Sequence, residues 1–158
     1  MEKRLKRDVV LTLLPVLLLA GIIFFLSAQT AELSSETSGK LTSLFGMIFH
    51  VRPGQQLSAL DSVIRQLAHF AEYGAFGFFL RLHLLTWQKI KTTMKNSGLP
   101  LCMLVGVLYA VSDEIHQMFV PGRSAQVIDI FADSLGVLVG SLLLMLLTRC
   151  LSKRSKNL

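Results

Sequence analysis

Val9-Val-Leu-Thr-Leu-Leu-Pro-Val-Leu-Leu-Leu-Ala-Gly-Ile-Ile-Phe-Phe-Leu26 is the stretch on which the fold turns. It carries no charge, and the next Asp, Glu, Lys or Arg after it is Glu32. About 18 such residues suffice to cross bilayer hydrocarbon, so the run predicts a membrane helix. Pro15 loosens one turn at most, which a membrane helix tolerates. Lys3, Arg4, Lys6 and Arg7 precede the run, and a basic flank before an apolar core also describes a cleaved signal peptide. Such cores are usually about 7–15 residues long and end in a small-x-small site, and neither holds here. The run therefore reads as an uncleaved anchor.

Composition agrees. Of 158 residues, 52% are hydrophobic and only 16% charged, against about 25% charged in soluble domains. Mean hydropathy is +0.56. These values exclude a disordered chain and argue against an ordinary cytosolic globule. The net charge of +6 and a pI near 9.7 would suit a nucleic-acid binder if the bases were clustered for that purpose. They are not.

Three further apolar stretches, at 63–85, 99–120 and 125–147, join the first at 9–28 to predict an all-α integral membrane protein, a four-helix bundle forming one domain over 1–158. Lys3, Arg4, Lys6, Arg7, Arg81, Lys89, Lys91, Lys95, Arg149, Lys153, Arg154 and Lys156 then fall on one side, and Lys40, Arg52, Arg65 and Arg123 towards the other. The positive-inside rule places both termini in the cytosol. The basic pI thus reports topology and anionic-lipid contact, and no nucleic-acid partner is expected.

The loop 29–62 holds Leu41, Leu44, Phe45, Ile48 and Phe49 at helical spacing, and Pro53-Gly54 follows. A short amphipathic helix is expected there, lying on the outer membrane surface or packed on the bundle. Cys102 and Cys150 both fall towards the reducing side and read as packing residues rather than a disulfide.

Polar residues interrupt the last three spans at a common depth. Measured inward from the outer ends at ~1.5 Å per residue, Arg65, His69, Glu72 and Tyr73 lie roughly 3–15 Å deep. Asp113, Glu114, His116 and Gln117 lie roughly 5–11 Å deep, and Asp129 and Asp133 roughly 6 and 12 Å. Phase agrees with depth. At ~100° per residue, Arg65, His69 and Glu72 share a face with Tyr73 beside them. Tyr109, Asp113, His116 and Gln117 share an arc with Glu114 at its margin, and Asp129 and Asp133 share a face with Gly136 and Gly140. Small residues at that spacing permit close helix approach in lipid, so this face points into the bundle. The inner parts of these spans read as apolar apart from Thr, Ser and Gly.

The layer holds Glu72, Asp113, Glu114, Asp129 and Asp133 against Arg65 and Arg123. Charge in hydrocarbon needs compensation: neutralised carboxyls, a shared proton, a bound cation or a water-filled pocket. Interhelical glue would account for any single residue, but five acids and two histidines exceed what helix register requires. His69 and His116 are the proton-transfer candidates, with Asp113, Glu114 and Glu72 as catalytic partners. Arg65, Tyr73, Gln117, Arg123, Asp129 and Asp133 are the binding candidates. His69, His116 and carboxylates could also reach one metal ion, but the spacing selects no particular metal or cofactor. No nucleophile elbow, P-loop or dinucleotide fingerprint is present, and Ser112 is only a weak nucleophile candidate. Arg123, after the Pro121-Gly122 turn pair, could cap a cavity or bind a phosphate.

Ser112-Asp-Glu-Ile-His-Gln-Met-Phe-Val-Pro-Gly-Arg123 resembles the most distinctive motif of the VanZ-like membrane proteins. The resemblance continues through Asp129, Asp133-Ser-Leu-Gly136 and Gly140. Upstream, Arg65-Gln-Leu-Ala-His69-Phe70-Ala-Glu72-Tyr73 is similar to the family's Arg/Lys-x-x-His-Phe-x-x-Tyr segment, and the serine-rich Ser34 to Ser38 is similar too. Gln66 stands where a basic residue is common, and Asp133 where Asn is often seen. The resemblance, over about 9–147, implies a bacterial integral membrane protein whose name-giving relatives are associated with teicoplanin resistance. It implies no settled reaction.

Together these readings predict an inner-membrane protein with an outward-facing polar pocket. The pocket would bind or modify an amphipathic envelope molecule: a lipid-linked precursor, a phospholipid headgroup or a lipoglycopeptide. A proton-coupled carrier, which would need a dimer and a polar path to the cytosolic half, and a non-catalytic scaffold or sensor are the alternatives.

Overall fold

The computed structural model describes residues 2–48, 50, 55–88 and 98–156. Among them the chain is all-helical, in the order α1 (Glu2–Ser27), α2 (Ala31–Ile48), α3 (Gln55–Gln88), α4 (Gly98–Gln117) and α5 (Val127–Lys156). The apolar run lies inside α1, which continues through Pro15 as a helix. Thr30 ends the short link after α1, and its hydroxyl accepts the Leu33 amide at 3.4 Å, capping α2. Pro100 sits in the first turn of α4, where its missing N–H costs nothing.

Among the described residues, three helices are long and apolar enough to cross a membrane: Lys3–Ser27, Gly98–Gln117 and Val127–Arg154. Their outward faces are greasy. Leu17, Leu18 and Phe25 on α1, Leu104 and Leu108 on α4, and Leu135, Leu143 and Leu146 on α5 are all exposed. A water-soluble bundle would bury such a surface.

α3 is less apolar because of its place. It packs most extensively on α5, then on α1, and also touches α2 and α4. Its neighbours shield it, so it can carry Arg65, His69, Glu72, Arg81 and His83. Contrary to the expectation from sequence, the inner half of this span is not apolar apart from Thr, Ser and Gly, because Arg81 and His83 lie inside α3, which continues to Gln88. His83 Nδ1 stands 3.3 Å from the Thr12 hydroxyl, while Nε and Nη1 of Arg81 are buried without a hydrogen-bond partner.

The core runs along α1, α3, α4 and α5 through Val16, Ile23, Tyr73, Phe76, Leu80, Ala110 and Val137. Glycine makes the α3–α5 crossing possible. A Cβ on Gly136 would stand 2.5 Å from the Phe70 carbonyl oxygen, and one on Gly77 2.5 Å from the Val137 carbonyl oxygen. Cys102 is a packing residue, buried with its Sγ 3.2 Å from the Ser141 hydroxyl. Cys150 is not, because it lies in the last turns of α5 and is exposed.

α2 turns its polar face to α3. Ser38 and Thr42 are buried, whereas Leu44, Phe45 and Ile48 of the expected apolar stripe are exposed. Pro53-Gly54 lies outside the described residues.

Candidate functional site

The end of α1, the start of α2, the first half of α3, the end of α4 and the start of α5 meet at one end of the bundle. The Ser27 hydroxyl donates to Asp113 Oδ2 at 2.7 Å, and Gln117 Nε2 donates to the same oxygen at 3.3 Å. These donors fix the Asp113 carboxylate. Past α4, Pro121-Gly122 forms a turn with Gly122 at φ 76° and the Arg123 amide donating to the Val120 carbonyl at 3.1 Å. That geometry is a type II turn, which selects glycine at its third position. The turn docks on α2 through the Ala31 amide, which donates to the Pro121 carbonyl at 3.3 Å.

Glu114 and His116 exchange the roles that helical phase suggested. Glu114, placed at the margin, is buried, and its Oε2 accepts the Gln126 amide at 2.8 Å just before α5 begins. A carboxylate there complements the positive end of that helix. His116 instead turns to α1, its ring stacked on Phe24 with centroids 4.5 Å apart and its Nε2 buried without a partner.

His69, Asp113 and Asp133 come together. One potential ligand atom from each lies within 4.8 Å of the other two. His69 Nδ1 is 3.8 Å from Asp133 Oδ1, beyond hydrogen-bond range. One turn on from His69 along α3, Tyr73 is wholly buried, and its hydroxyl has no hydrogen-bond partner.

The arginines do not clamp those carboxylates. Arg65 Nε lies 3.5 Å from Asp61 Oδ2, and Arg123 Nη2 donates to the Ser34 hydroxyl at 2.9 Å. Sequence reasoning missed Asp61, whose Oδ1 also accepts from Ser38 at 2.6 Å and Thr42 at 2.9 Å. It missed Ser27 as well. The serine-rich stretch thus anchors α2 to the site: Ser34 to Arg123, Ser35 to Arg65 at 3.5 Å, and Ser38 to Asp61.

Two clefts open here and share Arg65, His69 and Arg123 as a wall. One, of about 210 Å³, is polar, with Gln66, Gln117, Gln126 and Asp129. The other, of about 150 Å³, adds Leu26, Ile64, Ala68 and Glu72. Burial, and then the neighbouring Arg65 charge, draw Arg123 below the ordinary arginine value, against Asp113, Glu114 and Asp129. It remains protonated at neutral pH.

Apolar helices around two buried acids and a half-buried histidine define a multi-pass membrane protein with a polar site inside its bundle. The chain belongs to the VanZ family: the family model described as VanZ/LLP1 matches residues 12–148. Comparison with curated proteins and with solved structures found no match.

Proposed function

We propose that this VanZ-like protein binds, and could modify, an amphipathic envelope molecule by holding its anionic head between Arg65 and Arg123. The observation that carries this reading is the shared wall: two guanidinium groups and His69 stand between a polar cleft and one with aliphatic sides. Arginine suits phosphate and carboxylate recognition, and one polar and one apolar compartment suit a ligand with a head and a tail. Membrane lipids, a lipid-linked precursor and a lipoglycopeptide all have that form. A role in teicoplanin resistance would follow from the last two.

In this reading α3 is a fourth crossing. Its 34 residues span about 51 Å, more than the ~30 Å of hydrocarbon, and its neighbours shield its charges. The twelve-to-four distribution of Lys and Arg orients the bundle in the inner membrane, with both termini cytosolic and the clefts facing outward. His69, against Asp113 and Asp133, is better placed for proton transfer than His116 on Phe24.

A proton-coupled carrier is the second reading, favoured by Arg81 in the opposite half of α3, whose Nε and Nη1 are buried without a hydrogen-bond partner. Against it, Phe76, Leu80 and Val137 are packed in the core around which that helix sits. One experiment separates the readings: drug susceptibility of a teicoplanin-sensitive bacterium expressing the protein and its variants, with membrane abundance measured alongside. If the chain raises resistance, His69→Ala, Asp113→Ala and Arg123→Ala are expected to abolish the increase at unchanged abundance, and Arg81→Ala to keep it. Loss at Arg81→Ala as well would favour the carrier. Parallel loss of abundance and resistance, at His116→Ala too, would favour a scaffold.

A further inference from the structure

The charges at the buried end of the bundle do not balance. Asp113, Glu114 and Asp133 are 3%, 2% and 0% exposed. Among the described residues, no Lys or Arg lies within salt-bridge distance of any of them. Glu114 has the Gln126 amide, and Asp113 has Ser27 and Gln117. Asp133 has nothing: both carboxylate oxygens are buried without a hydrogen-bond partner. His69 Nδ1, the nearest basic atom to it, is also without one. Structural glue would mate such groups with donors, since an unmatched buried carboxylate costs several kcal/mol. Here donors secure only one carboxylate of the pair. Both Ser27 and Gln117 use Oδ2 of Asp113, which leaves Oδ1 for another role.

We propose that His69 Nδ1 and one oxygen each of Asp113 and Asp133 bind a single divalent metal ion of the zinc or manganese class. The donors are one imidazole nitrogen and two carboxylate oxygens, a set that suits borderline and hard divalent ions rather than soft ones. Two carboxylates and a neutral imidazole around a +2 ion give a site of zero net charge, the arrangement that low dielectric favours. Ligand atoms held at ~2.1 Å around one ion stand about 3.4 Å apart. The observed separations, 3.8 Å for His69–Asp133 and at most 4.8 Å within the trio, close to that value by shifts of about 1 Å in side chains. Ser27 and Gln117 hold the Asp113 ligand in place, as donors to metal-binding carboxylates commonly do. Three protein ligands leave a coordination position free, and His69 lines both clefts. The site therefore lies beside the proposed headgroup position but does not depend on that reading, because its readout is metal content.

The test uses the full chain purified in mild detergent, stripped with chelator, then titrated separately with zinc and manganese chloride. Bound metal is counted by mass spectrometry after desalting, and thermal unfolding is followed by circular dichroism. The expected result is one ion per chain and a raised Tm. Asp133→Asn and His69→Gln are expected to lower affinity at least about 100-fold with helicity unchanged. His83→Gln, in the other half of α3, is expected to bind as the parent does. Two results overturn the proposal: a folded parent chain that takes up neither metal, or Asp133→Asn and His69→Gln chains that bind it undiminished. Should one of the variants fail to fold, the other and the parent stoichiometry decide. A folded, metal-free parent would leave a proton shared between Asp113 and Asp133 as the compensating charge.

Discussion

Gly140→Leu is expected to abolish the folded bundle. A Cβ at Gly140 would collide with the Gly74 carbonyl oxygen, and would stand 2.8 Å from the Gly74 carbonyl carbon and 3.0 Å from the Phe78 amide nitrogen. All three are backbone atoms of α3, so no rotamer change relieves the contact. The helices must separate along their largest shared face, and that separation pulls Asp133 away from His69. Even Gly140→Ala should cost about 1–3 kcal/mol or more. Gly21→Ala is the matched control, since nothing lies within 4 Å of a Cβ there. It should be neutral, or stabilising by up to about 1 kcal/mol. Thermal unfolding and size-exclusion profiles in detergent check both. A Gly140→Leu chain that unfolds like the parent would contradict the described crossing.

Asp61→Ala is expected to release α2. That one carboxylate accepts from Ser38 and Thr42 and lies 3.5 Å from Arg65 Nε, so it ties α2 to α3 and also holds one wall arginine. Hydrogen bonds to a charged group contribute about 1.5–3 kcal/mol each. Without Asp61 the two hydroxyls keep only backbone acceptors on α2 itself, the Ser35 carbonyl at 3.4 Å and the Ser38 carbonyl at 3.0 Å, which tie nothing to α3. Amide hydrogen exchange over Ala31–Ile48 should accelerate by about 100-fold, while α4 and α5 stay protected. Ser38→Ala alone should produce a smaller change. Uniform exchange across the chain, or none, would show that α2 is held by something else.

Depth and phase, arithmetic on one helix at a time, put His69, Asp113 and Asp133 in one layer. They did not set them apart from Glu72, Glu114, His116 and Asp129, and the trio emerges only with the helices assembled. Gly136 and Gly140 were legible by the same arithmetic. Their partners were not: Gly74 and Gly77 carry no signal until α5 is laid on α3. Glu114 and His116 lie two residues apart at opposite margins of one arc, and which of them is buried depends on Phe24 of α1 and the start of α5. Asp61 fell before the apolar window at 63–85, and its role needs α2 folded back beside α3. Two local hints were present, the i,i+4 pairs Asp61–Arg65 and Ser38–Thr42. Ser27 ends the apolar run as a small hydroxyl, and only its contact with Asp113 gives it meaning. The charged character of α3 follows from its central place, which composition does not report.

The central claim is that the shared wall of the two clefts recognises an anionic head. Native mass spectrometry of the detergent-solubilised chain with phosphatidylglycerol and with phosphatidylcholine measures that recognition directly. Phosphatidylglycerol should bind the parent at least about tenfold more tightly than phosphatidylcholine, since a charge-assisted contact contributes about 1.5–3 kcal/mol. Arg65→Ala/Arg123→Ala should erase that preference while the chain keeps its helicity. Equal binding of the two lipids by the parent, or a preference that survives loss of both arginines, would contradict the account.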